Sequence, residues 1–245
     1  MKNLVLSALL FAGLTQAAGC IITSDDTSGT GTGDVDVSWE LLSSDLAGNA
    51  IPSACPAGAD TIEIHSQRLS DNQSFTDKFL CNASGGIADR LPTGQYAVWI
   101  RITDTAGVTM FAESSSRIVD VVDNATTPVT IDIFTDRAFF QATWNLTQGG
   151  VISCAAAGAG KMSVLATVTG GANGFDDDRL NCTDGEAGKP AFTTLPVPIG
   201  TTYTVVIAAL NSVGESIGDS AALTGRALDY GNKYENLGVV AVPIR

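Results

Sequence analysis

The feature that most constrains this chain is an internal repeat. Trp39-Glu-Leu41 recurs as Trp144-Asn-Leu146, and Leu91-Pro92 as Leu195-Pro196. Gly94-Gln-Tyr96-Ala-Val98-Trp-Ile100 recurs as Gly200-Thr-Thr-Tyr203-Thr-Val205-Val-Ile207, with Gly107 matching Gly214 after each run. A period of about 105 residues in a chain of 245 implies two small domains rather than one large one. The cysteines keep the same period: Cys55 and Cys81 lie 26 residues apart, Cys154 and Cys182 28 apart. With Cys20 set aside, the remaining four of the five cysteines permit three pairings. The repeat selects Cys55–Cys81 and Cys154–Cys182, one bridge per copy.

The local pattern is β throughout. Val35, Val37 and Trp39 alternate with polar neighbours, as do Ile62 and Ile64, then Tyr96, Val98, Ile100 and Ile102. Val129, Ile131 and Ile133 close the first copy, and Val240, Val242 and Ile244 close the second. Short runs separated by Gly, Pro, Asn and Asp predict an all-β chain of two tandem antiparallel β-sandwiches, 35–134 and 139–245. About five residues, Thr135 to Phe139, join them. The glycines of Ala155-Ala-Ala-Gly-Ala-Gly160 argue against a helix there.

The first residues read as an address. Met1-Lys2 is basic and Leu4–Leu14 almost wholly apolar, too short to span a bilayer but suited to a signal peptide over 1–19. It ends in Ala17-Ala18-Gly19-Cys20, which resembles the bacterial lipobox, with Ala17 in place of the usual Leu. The resemblance implies a lipoprotein whose Cys20 carries diacylglyceryl and palmitoyl chains. Ile21 after it, instead of Asp, implies the outer membrane. Residues 20–34, rich in Ser, Thr, Gly and Asp, predict a flexible tether.

Each copy carries Leu-Pro, then Gly, then Tyr-x-Val and Ile, over residues 91–100 and 195–207. This resembles the transthyretin-like sandwiches of the carboxypeptidase-regulatory type. The bridges and the tryptophan of the first strand depart from that family and leave an immunoglobulin-like topology open. Tandem modules of this kind imply structural or binding units.

Candidate chemistry is sparse. Thirteen basic against 26 acidic residues, a net charge of −13, argue against nucleic-acid binding. The single histidine, His65, has no second histidine for a zinc site, and it reads as an exposed strand residue. A hydrolase triad would have to use His65, and nothing in the sequence singles out its partners. Asn173-Gly-Phe-Asp176-Asp177-Asp178, with Asp184 and Glu186, offers hard oxygens for Ca²⁺, but the spacing is not an EF-hand loop. A solvated acidic loop is the competing reading. The expectation is a non-enzymatic envelope module without cofactor, anchored through Cys20, with a protein or glycan partner. The alternative is an accessory carbohydrate-binding protein, for which Trp99, Tyr230 and Tyr234 are the aromatic candidates, Trp39 and Trp144 being core-like.

Overall fold

The computed structural model describes residues 31–45, 49–172 and 174–245. The expected signal peptide, Cys20, the tether up to residue 30, and Asn173 lie outside the described residues. The first copy contributes β1 (Thr32–Ser44), β2 (Ala50–Pro52), β3 (Thr61–Arg68), β4 (Ser74–Leu80), β5 (Gly85–Pro92), β6 (Gly94–Thr103), β7 (Met110–Glu113), β8 (Arg117–Val121) and β9 (Thr126–Phe134). The second contributes β10 (Arg137–Thr147), β11 (Val151–Ile152), α1 (Cys154–Ala157), β12 (Lys161–Val168), β13 (Gly174–Asn181), β14 (Ala191–Phe192), β15 (Val197–Pro198), β16 (Thr201–Leu210), β17 (Ser216–Asp219), β18 (Leu223–Leu228) and β19 (Tyr234–Pro243). Among the described residues no helix is long and apolar enough to cross a membrane.

Both copies are built the same way. In the first, β1 pairs with β2 and β5 along one edge and β9 along the other, and the opposing sheet runs β4-β3-β6 with β7 and β8 sharing the far edge of β6. In the second, β10 pairs with β11, β14, β15 and β19, opposite β13-β12-β16 with β17 and β18. The apolar alternates of the facing sheets form one core per copy. Val35, Val37, Trp39, Ile62, Ile64, Tyr96, Val98 and Ile100 belong to the first core, and Trp144, Leu146, Val164, Tyr203, Val205 and Ile207 to the second.

The all-β sandwich is as expected. The alternation did not reveal that the first and last strands of each copy run parallel, β1 with β9 and β10 with β19. A period of two reports which face is buried, not which way a neighbour points. The first two long strands, β1 and β3, lie in opposite sheets, whereas the immunoglobulin arrangement puts them in one.

Polar anchors repeat with the cores. Trp39 Nε1 donates to Ala83 O and Trp144 Nε1 to Cys182 O, both at 2.7 Å. Each indole thereby satisfies its one donor on the segment beside its disulfide. Tyr96 donates its hydroxyl to Pro92 O at 2.8 Å, and Tyr203 to Pro198 O at 2.7 Å. Pro92 faces Thr32 as Pro198 faces Arg137. The structural partner of Leu91-Pro92 is therefore Val197-Pro198, not Leu195-Pro196. The bridges are Cys55–Cys81 and Cys154–Cys182, as the period predicts.

Three local expectations are corrected. Cys154–Ala157 is a short helix, because Ser153 Oγ accepts the Ala156 N–H at 3.2 Å and Gly158 closes it with φ 68°. The tether does not reach Asp34, since Thr32 and Gly33 already pair with Pro92 and Leu91. A Cβ on Gly33 would lie 2.2 Å from Val122 O, so this glycine serves close packing, not flexibility. The joint between copies is also shorter than expected. Only Thr135 and Asp136 separate β9 from β10.

That joint is reinforced. The turn between β18 and β19 lies against β7, where Gly231 donates to Phe111 O at 2.6 Å and accepts from Glu113 N at 3.1 Å. These bonds make one parallel rung, Ala112 with Gly231. Buried Asn232, at φ 57°, donates Nδ2 to Glu113 O at 3.2 Å and its backbone N–H to Arg137 O at 2.6 Å.

Candidate binding face

The outer face of the β4-β3-β6-β7 sheet carries the densest polar chemistry of the first copy. Antiparallel register aligns Lys78, Glu63, Arg101 and Glu113 in a row across four strands. Charges alternate along it: Lys78 Nζ meets Glu63 Oε1 at 2.8 Å, and Arg101 Nε donates to Glu113 Oε1 at 2.7 Å. In the neighbouring row His65 faces Trp99, and the rings stack with centroids 5.2 Å apart and planes 11° from parallel.

His65 is half-buried, not the exposed strand residue its pattern predicts, because Trp99 covers one face of the ring. Its Nε2 lies 3.2 Å from Glu63 Oε2 and its Nδ1 3.1 Å from Thr76 Oγ1. Burial and the neighbouring Arg101 guanidinium push the imidazole pKa down, outweighing Glu63. The ring is therefore neutral at pH 7, with Nε2–H donating to Glu63 and Nδ1 accepting from Thr76. Burial pushes Glu63 up, but Lys78 and His65 together hold it below the ordinary carboxylate value.

Hydroxyl, imidazole and carboxylate in this order are the parts of a nucleophilic relay. The surroundings do not fit that chemistry. Thr76 stands exposed on a strand with its residue paired to His65 across the ladder, and Trp99 covers the ring. Such a reaction needs a concavity and free N–H donors aimed at the developing oxyanion.

At the matched positions the second copy lacks the histidine, the tryptophan and the Glu–Arg pair. Where Glu63 faces Arg101, Ser163 faces Ala208; where His65 faces Trp99, Leu165 faces Val206. Arg101 opposite Glu113 becomes Ala208 opposite Asp219. The same scaffold thus folds without the aromatic and charged set. The sheet does not require it.

Of the two tyrosines, Tyr234 is engaged within the second copy, while Tyr230 lies near Glu113 and Arg101 of the first. Tyr234 stacks on Phe139 at 5.1 Å and meets Phe192 edge-on, packing the second copy. Tyr230 lies at the joint with Lys233 Nζ 5.5 Å from its ring centre. Trp39 and Trp144 are buried, as expected. Shallow grooves of about 320 and 250 Å³ open beside them at equivalent places in the two copies.

The acidic stretch that offered a candidate calcium site is a strand, and its acids are separately engaged. Asp176, Asp177 and Asp178 lie on β13, where pairing with β12 sends neighbours to opposite faces. Asp176 accepts from Ser163 Oγ, and buried Asp177 accepts from the backbone of Thr194 and Leu195 and from Arg179. Asp178 is exposed. Asp184 accepts from Asn181 N and Glu186 from Cys154 N, both at 2.8 Å. Among the described residues no three His, Cys, Asp or Glu side chains are grouped to hold a metal.

The sequence placed His65 on an exposed strand face but missed Glu63, Thr76, Lys78, Arg101 and Glu113 as its company. Only strand register brings these together.

No protein-family model and no curated protein matches the chain. Among solved structures, a leucine-rich repeat protein from Bacteroides thetaiotaomicron is similar at 12% identity and TM-score 0.34, over 88% of this chain and 27% of that one. The minor pilin GBS52 of Streptococcus agalactiae gives 8% and 0.27, over 87% and 96%. The fimbrial anchor protein Mfa2 of Porphyromonas gingivalis gives 11% and 0.27, over 76% and 82%. The chain thus spans about a quarter of the first of these and most of the other two. Scores in this range give no basis for transferring a role.

Proposed function

We propose that this chain is a lipid-anchored, non-enzymatic protein of the bacterial envelope. Its two sandwiches are of the transthyretin-like type, and the outer face of the first presents a binding surface. The observation that carries the reading is the asymmetry of a duplicated scaffold: Glu63, His65, Trp99 and Arg101 stand where the second copy has Ser163, Leu165, Val206 and Ala208. A set absent from one of two folded copies is not there for folding. The lipobox-like Ala17-Ala18-Gly19-Cys20 supports the anchor, and β1 and β3 in opposite sheets support the repeat type over an immunoglobulin one. Intact mass of the protein from a bacterial envelope tests the anchor. The expected value is that of an acylated chain beginning at Cys20 with four hydrogens lost to two bridges. A mature chain with unmodified Cys20 refutes it.

The His65–Trp99 stack favours a glycan as the partner. A ring held rigid by a second ring, beside fixed hydrogen-bonding groups, suits the apolar face and hydroxyls of a sugar. Binding on a glycan array is expected to fall at least tenfold in Trp99→Ala and to survive Trp99→Phe in part. An array on which the parent protein finds no sugar removes the glycan and leaves a protein partner.

A further inference from the structure

On the first copy, the outer edge of β7 is closed by the neighbouring copy through the Ala112–Gly231 rung. The equivalent strand of the second copy is β17: Ala112 faces Ile102 as Gly218 faces Ala209. There the neighbour's place is taken by the chain's own Ile244 and Arg245. Ile244 forms a bridge with Gly218, and Arg245 donates its N–H to Ile217 O at 2.9 Å. The Ile244 N–H is held by Thr147 O at 2.9 Å, and the Arg245 guanidinium pairs with Asp219. The fit is close, since a Cβ on Gly218 would lie 2.3 Å from Pro243 O.

An uncovered strand edge presents unpaired N–H and C=O groups, a template for pairing with another chain. This chain also carries a turn of the kind that docks on such an edge. Residues 122–125, between β8 and β9, correspond to the Gly231–Asn232 turn between β18 and β19. Asn124 sits at φ 53° as Asn232 does at 57°, and donates its N–H to Thr32 O as Asn232 does to Arg137 O. Val122, Asp123 and Asn124 are exposed, so this turn is open to a partner.

We propose that Ile244 and Arg245 form an edge cap on β17, filling the slot that on the first copy receives a neighbouring sandwich. The cap stops the 122–125 turn of a second copy of this chain from docking there. It thereby prevents head-to-tail assembly, which for a heterologous contact does not close on itself.

Two variants open the edge by different routes. Gly218→Ala places a methyl group against Pro243 O, and a chain ending at Val242 removes the covering residues. Each is checked for folding by circular dichroism and intact bridges, then measured by light scattering. The parent chain is expected to keep the mass of a single chain at every concentration. Both variants are expected to gain mass with concentration, and Val122→Glu added to either restores the single-chain mass. A folded variant of either kind that stays single at all concentrations overturns the cap. Association that survives Val122→Glu overturns the assigned partner turn.

Discussion

Asp77 and Asp177 occupy the same place in the two copies, facing Ile64 and Val164 across their hairpins, yet their surroundings drive them in opposite directions. Burial pushes the Asp177 carboxyl up, but bonds from the Leu195 amide, Arg179 and Thr194 outweigh it and hold the pKa below the ordinary value. Burial and the charge of Asp89 both push Asp77 up. The signs then follow from linkage. Asp177 binds its proton more weakly folded than unfolded, so its stabilisation is present above about pH 4 and is lost as pH falls through the folded value. Asp77 binds its proton more tightly folded, so stability grows as pH falls through its raised pKa towards about pH 4. Asp177→Asn is expected to cost the second copy about 1–3 kcal/mol at pH 7, because it weakens acceptance from buried backbone donors, and to flatten the acid limb. Asp77→Asn is expected to remove the gain on mild acidification without loss at pH 7. Urea midpoints at intervals from neutral to acidic pH measure both, and an acid limb unchanged in Asp177→Asn contradicts the assignment.

At the level of elements, each bridge ties the segment before the second long strand to the turn beyond the third. Cys154 begins α1, and Cys182 follows β13 directly. Closing 28 residues stabilises by about 3.5 kcal/mol on the loop-entropy account. Cys154→Ala with Cys182→Ala is expected to lower the second copy's unfolding free energy by about that amount. Cys55→Ala with Cys81→Ala, closing 26 residues, should do nearly the same for the first. Denaturant unfolding monitored at Trp39 and Trp144 in single-tryptophan variants reads the copies separately. The bridges were legible in the sequence because a duplicated chain makes its cysteines answer to each other. The cores were legible for a similar reason, since Val35, Val37 and Trp39 bury every second side chain. The parallel pairs of β1 with β9 and β10 with β19 were not, because alternation is the same for either direction of a neighbour. Nor was the binding face. His65 and Trp99 lie 34 positions apart in sequence and meet only through the β3–β6 register. The three consecutive aspartates misled because an acid-rich stretch after glycine resembles a loop, while pairing with β12 makes it a strand.

At the scale of the whole molecule, the question is whether two sandwiches joined by two residues move as one. Thr135 and Asp136 alone leave few backbone torsions free, and Asp136 Oδ2 accepts the Ser44 N–H at 3.2 Å. The Gly231 rung and the Asn232 side chain add contacts from the far side of the joint, at 2.6, 3.1 and 3.2 Å. At about 1 kcal/mol for each bond, this side contributes a few kcal/mol of coupling between copies. Gly231 is the sensitive point, since a Cβ there would lie 2.4 Å from Phe134 O. Gly231→Val is therefore expected to push the turn off β7 while leaving both cores and both bridges in place. In the parent chain, coupling makes the copies unfold together and gives a narrow distribution of interatomic distances by small-angle scattering. In Gly231→Val the distribution should broaden towards longer distances, and the copies should unfold in separate transitions, each keeping its own unfolding free energy to within about 1 kcal/mol. Asn232→Ala, which removes the side-chain bonds but not the rung, should fall between the two. A Gly231→Val chain with unchanged scattering and one transition would instead assign the fixed angle to the two-residue joint alone.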